Sequence, residues 1–128
     1  MNYVIDNRSL LYVDGILIDK TINKYLSDLS IPHFKNIKSM RDTVRENLNI
    51  KRNIPLYISK DVLLVPIKTN NITYYINFSN VKETITKESI TTFIFYDKSY
   101  INLNISKRII ERILKNTEKV YDYISLIE

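Results

Sequence analysis

Residues 62–78, Val-Leu-Leu-Val-Pro-Ile-Lys-Thr-Asn-Asn-Ile-Thr-Tyr-Tyr-Ile-Asn-Phe, decide the fold class of this chain. Both ends of the segment are rich in Val, Ile, Tyr and Phe, which favour strands, and its Asn-rich middle is typical of a turn. The pattern predicts a β-hairpin that joins Val62–Ile67 to Ile72–Phe78 across Lys68–Asn71. Because Pro66 has no N–H for a ladder hydrogen bond, its strand should lie at an edge or end there.

Two more hairpins are predicted on either side of this segment. Asp14-Gly15 stands between two short apolar runs and is a strong two-residue turn signal. Asp97–Ser99 should connect a strand at Thr91–Tyr96 to a strand at Tyr100–Ile105. Hairpins join neighbouring strands that run in opposite directions, so the pattern predicts antiparallel sheet.

Three segments have the apolar spacing of helices, namely Thr21–Leu29, Ile37–Leu48 and Lys107–Ile127. Ser106 is a natural N-cap for the last and longest of them. Strands in hairpins together with separate helices predict an α+β fold, in which antiparallel hairpins carry packed helices and a long C-terminal helix. A chain of 128 residues has the length of one ordinary domain, so a single domain over residues 1–128 is expected.

The composition excludes most enzyme classes. There is one Gly, no Cys and one His in the chain, so phosphate-binding glycine loops, cysteine nucleophiles, zinc ribbons and multi-histidine metal sites are all excluded. The single histidine, His33, lies between Pro32 and Phe34, and nothing local supplies the partner that general acid–base catalysis needs. We therefore expect no catalytic residue, no metal site and no cofactor, and we do not expect an enzyme.

The sequence also indicates where the protein works. It contains no apolar run of the ~18 residues that span a membrane. Its first residues do not place an apolar stretch after a basic one, so no secretory signal is expected. The expected location is the cytoplasm, without membrane attachment.

Basic residues are concentrated in one short segment. The net charge is +5, and residues 35–52 contain six basic and two acidic residues, which gives that segment +4. On a helix, Lys38, Arg41 and Arg45 form one stripe beside the apolar stripe. The six basic residues are Lys35, Lys38, Arg41, Arg45, Lys51 and Arg52.

Such a segment has several interpretations. It can follow a phosphate backbone, where each neutralised phosphate releases counterions. It can also meet an acidic protein surface or an anionic membrane, and it is equally typical of an ordinary solvated helix face. The adjacent Tyr74 and Tyr75 point to opposite faces of their strand, so only one could stack on a base, and core packing is the simpler interpretation.

The order of features over residues 53–106 resembles the ComK-like competence transcription factors of Gram-positive bacteria. A basic segment leads into a strand begun by proline, an apolar strand with an internal proline follows, and two later strands precede a hydrophobic-x-Ser helix start. Tyr75 stands where the family tends to have Trp. The segments that carry the resemblance are Lys51–Ile58, Leu63–Pro66, Tyr75–Asn77, Phe93–Lys98 and Asn102–Ser106.

The resemblance implies a regulator that binds double-stranded DNA at A/T-rich boxes, largely through the minor groove, and activates competence genes. It also implies a homodimer or a higher homo-oligomer. Narrow A/T minor grooves concentrate negative potential and attract inserted Arg or Lys. The candidate DNA-binding residues, chosen by charge, are Arg41, Arg45 and Arg52 for the groove or phosphates, and Lys38 and Lys51 for phosphates.

A second hypothesis assigns the chain to another functional class. The Cys and the Gly-Arg pair that the family has before its proline-started strand are missing here. A short relative that has lost these residues could be a ComK-fold modulator of the phage or mobile-element type, binding a host protein. The basic segment would then contact that protein instead of DNA.

Overall fold

Two antiparallel sheets and three α-helices make up residues 1–127, the part of the chain that this computed structural model describes. The predicted α+β class, with its long C-terminal helix, is confirmed. The chain divides into two compact units, Met1–Asn80 and Val81–Glu128. The expectation of one domain over residues 1–128 stays a prediction.

The first unit is built on a six-stranded sheet. Its strands are β1 (Tyr3–Asn7), β2 (Leu10–Val13), β3 (Ile16–Ile18), β4 (Leu56–Ser59), β5 (Val62–Thr69) and β6 (Ile72–Asn77). The spatial order is β3-β2-β1-β6-β5-β4, and every neighbouring pair is antiparallel. The first strand of the chain therefore lies in the middle of the sheet, between β2 and β6.

Both predicted hairpins of this unit are confirmed. The turn from β2 to β3 places Asp14 at φ 49° and Gly15 at φ 83°, and the turn from β5 to β6 places Asn70 at φ 53° and Asn71 at φ 63°. Two successive positive φ angles make the tight turn whose twist matches that of the strands it joins. Asp and Asn tolerate this conformation, so they replace the glycine that this chain rarely uses.

Pro66 lies where its strand has a neighbour on one side only. Within β5 it pairs with Tyr75 of β6, whereas β4 reaches no further along β5 than Leu64. The expectation that this strand lies at an edge or ends at Pro66 is therefore wrong for the strand as a whole, since β5 lies between β6 and β4 and continues to Thr69, but Pro66 itself occupies a stretch with no neighbour on one side. The Asn53 side chain approaches this open edge and donates a 2.8 Å hydrogen bond to the Pro66 carbonyl oxygen.

Two helices cover one face of this sheet. The helix α1 spans Ile22–Ser30, a 3₁₀ turn follows at Ile31–His33, and α2 spans Ile37–Asn47. The Thr21 hydroxyl caps α1 by accepting a hydrogen bond from the Lys24 N–H. The Asn36 carboxamide oxygen caps α2 by accepting one from the Ser39 N–H. Both predicted helices are confirmed. Each cap satisfies one of the N–H groups that a helix leaves unpaired at its start.

The core of the first unit lies between these helices and the sheet. Val4, Leu11, Leu64 and Tyr75 contribute from the strands, and Leu26 contributes from α1. Partly buried side chains of α1 and α2 surround them, namely Ile22, Tyr25, Leu29, Ile37 and Met40. Because Ile37 and Met40 of α2 pack against the core, the opposite side of that helix points away from it.

The second unit combines a small sheet with the last helix. The strands β7 (Val81–Lys87), β8 (Ile90–Phe95) and β9 (Tyr100–Leu103) pair in that order, and α3 spans Lys107–Ile127. The predicted third hairpin and the predicted helix are both confirmed. Ser106 caps α3 as expected, since its Oγ accepts from the Ile109 N–H at 3.4 Å.

The buried face of α3 is narrower than its sequence suggests. Its buried residues are Ile110, Ile113, Thr117 and Val120. Tyr121 and Ile127, which the apolar spacing assigns to the same face, are 39% and 62% exposed. Within residues 1–127, no helix is both long enough and apolar enough to cross a membrane.

Candidate nucleic-acid interface

The docking of α2 decides how its basic residues are presented. Met40 packs against the core and Val44 is only 9% exposed, so this side of the helix faces the sheet. Lys38 and Arg45 are exposed, whereas Arg41 is half-buried at the flank. The predicted stripe therefore exists, but its middle member lies deeper than its ends.

Two of the five candidate residues share one carboxylate. The Lys38 ammonium lies 3.0 Å from Asp42 Oδ2, and the Arg45 guanidinium lies 3.4 Å from Asp42 Oδ1. Such exposed pairs contribute about 0–1 kcal/mol each, so an approaching polyanion can compete for both cations. Asp42 nevertheless lowers the positive potential of this part of the helix.

Lys35, at the start of the basic segment, is held against the sheet. Its Nζ lies 4.4 Å from the centroid of the Tyr57 ring and 3.4 Å from the Tyr57 carbonyl oxygen. An ammonium over an aromatic face is attracted by the negative face of the ring. This contact fixes the direction of the lysine without neutralising its charge.

Lys51 and Arg52 are presented by a turn that is fixed at both ends. They are exposed, and they stand between Ile50 and Ile54, which are 2% and 8% exposed. Asn53 adopts φ 50° and ties the turn to the β5 edge. Anchors on both sides fix the backbone of the turn, which reduces the backbone entropy that would be lost on binding an anion.

Three of the candidate cations have no ion-pair partner among residues 1–127, namely Arg41, Lys51 and Arg52. Arg41 instead lies near enough to Tyr75 for its charge to act on that phenol. Burial raises the pKa of the Tyr75 phenol, while the charge of Arg41 opposes that rise and the charge of Asp6 adds to it. Burial also raises the pKa of Asp6 itself.

A cleft of about 440 Å³ opens between α1 and α2. Lys35, Lys38 and Arg41 line it, together with neutral groups that include Ser27 and Asn36. None of the ten described residues that line the cleft is acidic. The first residues of α2 also line the cleft, and helix N-termini carry partial positive charge. The cleft is therefore electropositive and suited to an anion.

The turn between α1 and α2 carries an exposed aromatic residue that sequence reasoning did not single out. Phe34 is 99% exposed, and Ile31 in the same turn is 61% exposed. The Phe34 N–H donates to the Ile31 carbonyl at 2.9 Å, and the Lys35 N–H donates to the Ser30 carbonyl at 3.1 Å. This pair of bonds is a Schellman motif, in which Phe34 holds the left-handed position at φ 57°.

The tyrosine pair, His33 and the acidic residues do not add to this interface. Tyr75 is buried with 8% exposure, as expected for packing, and Tyr74 is half-buried on the opposite face. His33 is exposed in the turn before Phe34. Among residues 1–127, no three His, Asp or Glu side chains gather closely enough to hold a metal ion.

Comparison of the chain with protein-family models, with curated proteins and with solved structures found no match.

Proposed function

We propose that this protein is a cytoplasmic, ComK-like transcriptional regulator that binds A/T-rich double-stranded DNA as a homodimer or higher homo-oligomer. The observation that carries the proposal is the segment Lys35–Arg52, which holds +4 of the net +5 charge. Four of its six cations, namely Lys35, Arg41, Lys51 and Arg52, have no ion-pair partner among residues 1–127. The resemblance over residues 53–106 supplies the A/T preference and the regulatory role.

The proposed contacts follow from how each cation is held. Lys51 and Arg52 are exposed on an anchored turn and would neutralise phosphates or enter the minor groove. Lys38 and Arg45 would exchange Asp42 for phosphate oxygens. Arg41, half-buried in the cleft, would meet a phosphate that enters between α1 and α2. Every neutralised phosphate adds a released counterion, so affinity should fall steeply with salt.

The test is a fluorescence-anisotropy titration of an A/T-rich duplex and a G/C duplex at low and physiological salt. Tighter A/T binding that survives physiological salt is the expected result. A Lys51→Gln/Arg52→Gln variant should bind more weakly, and its salt slope should be shallower by about 1.8, close to 0.9 for each lost contact. A Lys82→Gln/Lys87→Gln variant loses the same charge from the exposed strand β7 and is the matched control. Sequence-indifferent or absent binding would contradict the proposal.

A second candidate function is a modulator that binds a host protein. The observation in its favour is an apolar strip on the β2–β3 hairpin, where Leu10 and Leu17 share a face and are 47% and 56% exposed. In addition, β3 is an edge strand with one unpaired side. Failure to capture a stoichiometric partner from a low-GC Gram-positive lysate, or equal capture by a Leu17→Lys variant, would count against it.

A further inference from the structure

Phe34 is the most exposed of the large hydrophobic side chains within residues 1–127. It stands at the tip of the α1–α2 turn, where 99% of its surface is accessible, and Ile31 beside it is 61% exposed. Scattered, half-exposed apolar residues are normal on protein surfaces. A fully exposed aromatic ring next to a second exposed apolar residue is more specific, because it presents a small apolar projection to a partner.

The backbone conformation of Phe34 is also unusual for a hydrophobic residue, since its φ is positive. Nine non-glycine residues among 1–127 have positive φ, and five of them are Asn or Asp, the types that tolerate this region best. Phe34 is the single hydrophobic residue in the set. An Asn at position 34 would close the same Schellman motif with less strain, and it would expose no ring. The turn therefore does not explain the phenyl group, and strained positions of this kind are found at functional sites.

The surroundings of the ring indicate what it meets. Residues 29–41 contain no acidic residue and three basic ones. The three are Lys35, Lys38 and Arg41, and they line the cleft that opens behind the turn. A matching ligand must be anionic at its surface and must have an apolar slot between its charges. Duplex DNA has both features, since its stacked bases lie between two rows of phosphates.

The layout of the charges favours DNA over an anionic lipid surface. From Lys38 the cations continue along one flank of α2 to Arg45, a rise of about 10 Å at 1.5 Å per residue. They therefore form a line that starts in the first turn of α2, four residues after Phe34, and a line of cations is what a phosphate backbone requires. Binding to a lipid surface would favour cations arranged around the exposed Phe34 ring. A single ring also buries little apolar area in a membrane, so it would bind one weakly.

We infer that Phe34 is a wedge that inserts between adjacent base pairs of an A/T-rich site, while Lys38 and Arg41 hold the flanking phosphates. This inference rests on the proposed DNA-binding function. Apolar side chains that enter from the minor groove unstack one base step and kink the duplex by roughly 20–90°. The A/T preference then has a physical source in addition to groove width, because TA steps unstack easily.

The test uses the full-length protein, a Phe34→Asn variant and two optical probes in one A/T-rich duplex. End labels report bending by energy transfer, and a 2-aminopurine at successive positions reports unstacking by its rise in fluorescence. Phe34→Asn keeps the left-handed turn, so folding is preserved. Leu126→Asn, which removes another apolar side chain that is 84% exposed, is the matched control.

The wild type and Leu126→Asn are expected to bend the duplex and to raise the fluorescence at one step. Phe34→Asn is expected to lose both signals and to bind about tenfold or more weakly, since the stacking of bases on the aromatic ring is lost. If Phe34→Asn binds and bends DNA as the wild type does, the wedge is wrong and the DNA-binding proposal stands.

If the wild type binds no DNA at low salt, the wedge and the proposed function are both wrong. Vesicles of phosphatidylserine and phosphatidylcholine provide the remaining comparison. Binding to these vesicles that depends on Phe34, without binding to DNA, would overturn the wedge and identify the turn as a membrane contact.

Discussion

The side-chain amide of Asn77 donates a 2.8 Å hydrogen bond to the main-chain carbonyl of Met1, 76 residues earlier in the chain. Its second N–H is bonded to the Asp61 carbonyl at 3.0 Å. Its oxygen accepts from the N–H groups of Leu63 at 3.0 Å and Ser79 at 3.2 Å. Asn77 is 1% exposed, so one buried side chain uses all of its hydrogen-bonding capacity to connect the chain start, β5 and the end of β6.

Replacing Asn77 should therefore be costly. An Asn77→Ala change removes the partner of the buried Leu63 N–H and of the part-buried Asp61 carbonyl, and an unsatisfied buried group costs about 1–3 kcal/mol. The Met1 carbonyl keeps its 2.9 Å hydrogen bond from the Asn80 side chain. We expect the free energy of unfolding to fall by about 2–3 kcal/mol in chemical denaturation. Asn23→Ala, on the exposed side of α1, is the control and should leave stability unchanged or slightly higher. Equal stabilities for both variants would show that the Asn77 network contributes nothing.

Gly15→Ala should destabilise the first unit through its backbone. At φ 83° an L-residue is strained, whereas an added Cβ would meet its nearest neighbour, the Tyr3 hydroxyl, at an ordinary 3.8 Å. The expected loss is about 1–2 kcal/mol in the same denaturation measurement. Gly15→Asn should lose less, because Asn tolerates the left-handed region. Equal losses for Ala and Asn would point to a steric cause.

Asp42→Asn should strengthen DNA binding with little effect on folding. It removes the carboxylate that Lys38 and Arg45 share, and exposed pairs contribute no more than about 1 kcal/mol each. Glu46→Gln removes the same charge one turn along α2 but breaks none of these ion pairs. In anisotropy titrations at low salt, Asp42→Asn should gain more affinity than Glu46→Gln. Equal gains would mean that net charge alone is responsible.

Alkaline pH should destabilise the protein through Tyr75. Burial raises the pKa of its phenol, so the folded state retains this proton at a pH where the unfolded chain, with a pKa near 10, has begun to lose it. The folded state then binds more protons, and stability falls as pH rises above about 10. The contribution is fully present below that pH.

The free energy of unfolding is measured in steps between about pH 9 and 11 for wild type and Tyr75→Phe. This range brackets the ordinary tyrosine pKa of about 10. The variant should lose less stability with rising pH. Tyr25, whose pKa is also raised mainly by burial, accounts for part of the remaining fall. Tyr100→Phe is the control, since this ring is 64% exposed. Parallel curves for wild type and Tyr75→Phe would rule out the linkage.

Local signals predicted most elements of the fold. The turn residues Asp14-Gly15 and Asn70-Asn71 and the cap Ser106 act within a few residues of themselves, so they can be recognised in the sequence. Three strands were not predicted from the residues, namely Tyr3–Asn7, Leu56–Ser59 and Val81–Lys87, and only the family resemblance indicated the second of them. The strand Val81–Lys87 is an edge strand of alternating exposure with three charged residues, a pattern that resembles a surface loop.

The strand Tyr3–Asn7 was missed for a different reason. It lies between β2 and β6, and its pairing with β6 joins residues more than 65 positions apart. Sequence periodicity does not encode which distant strand becomes the neighbour. The Asn77 network, which holds the chain start at this position, is equally invisible in the sequence.

The sequence likewise predicted only part of the candidate site. The sequence predicted the basic segment and the stripe of Lys38, Arg41 and Arg45, because helical spacing is local. It did not predict that Asp42 bridges two of these cations or that the charge of Arg41 acts on the Tyr75 phenol. Phe34 was also missed. The signal for it in the sequence is an aromatic residue between two predicted helices, with no acidic residue nearby.

By itself, the sequence determined the α+β class, the three hairpins, the three helices and the place where positive charge collects. Each of these depends on turn chemistry, apolar period or charge count over short stretches. Only the tertiary structure decided which strands pair, which cations remain unpaired and which apolar side chain is left outside. These properties depend on the packing of segments that are distant in the chain, because burial of the α2 apolar face determines what its other residues can reach.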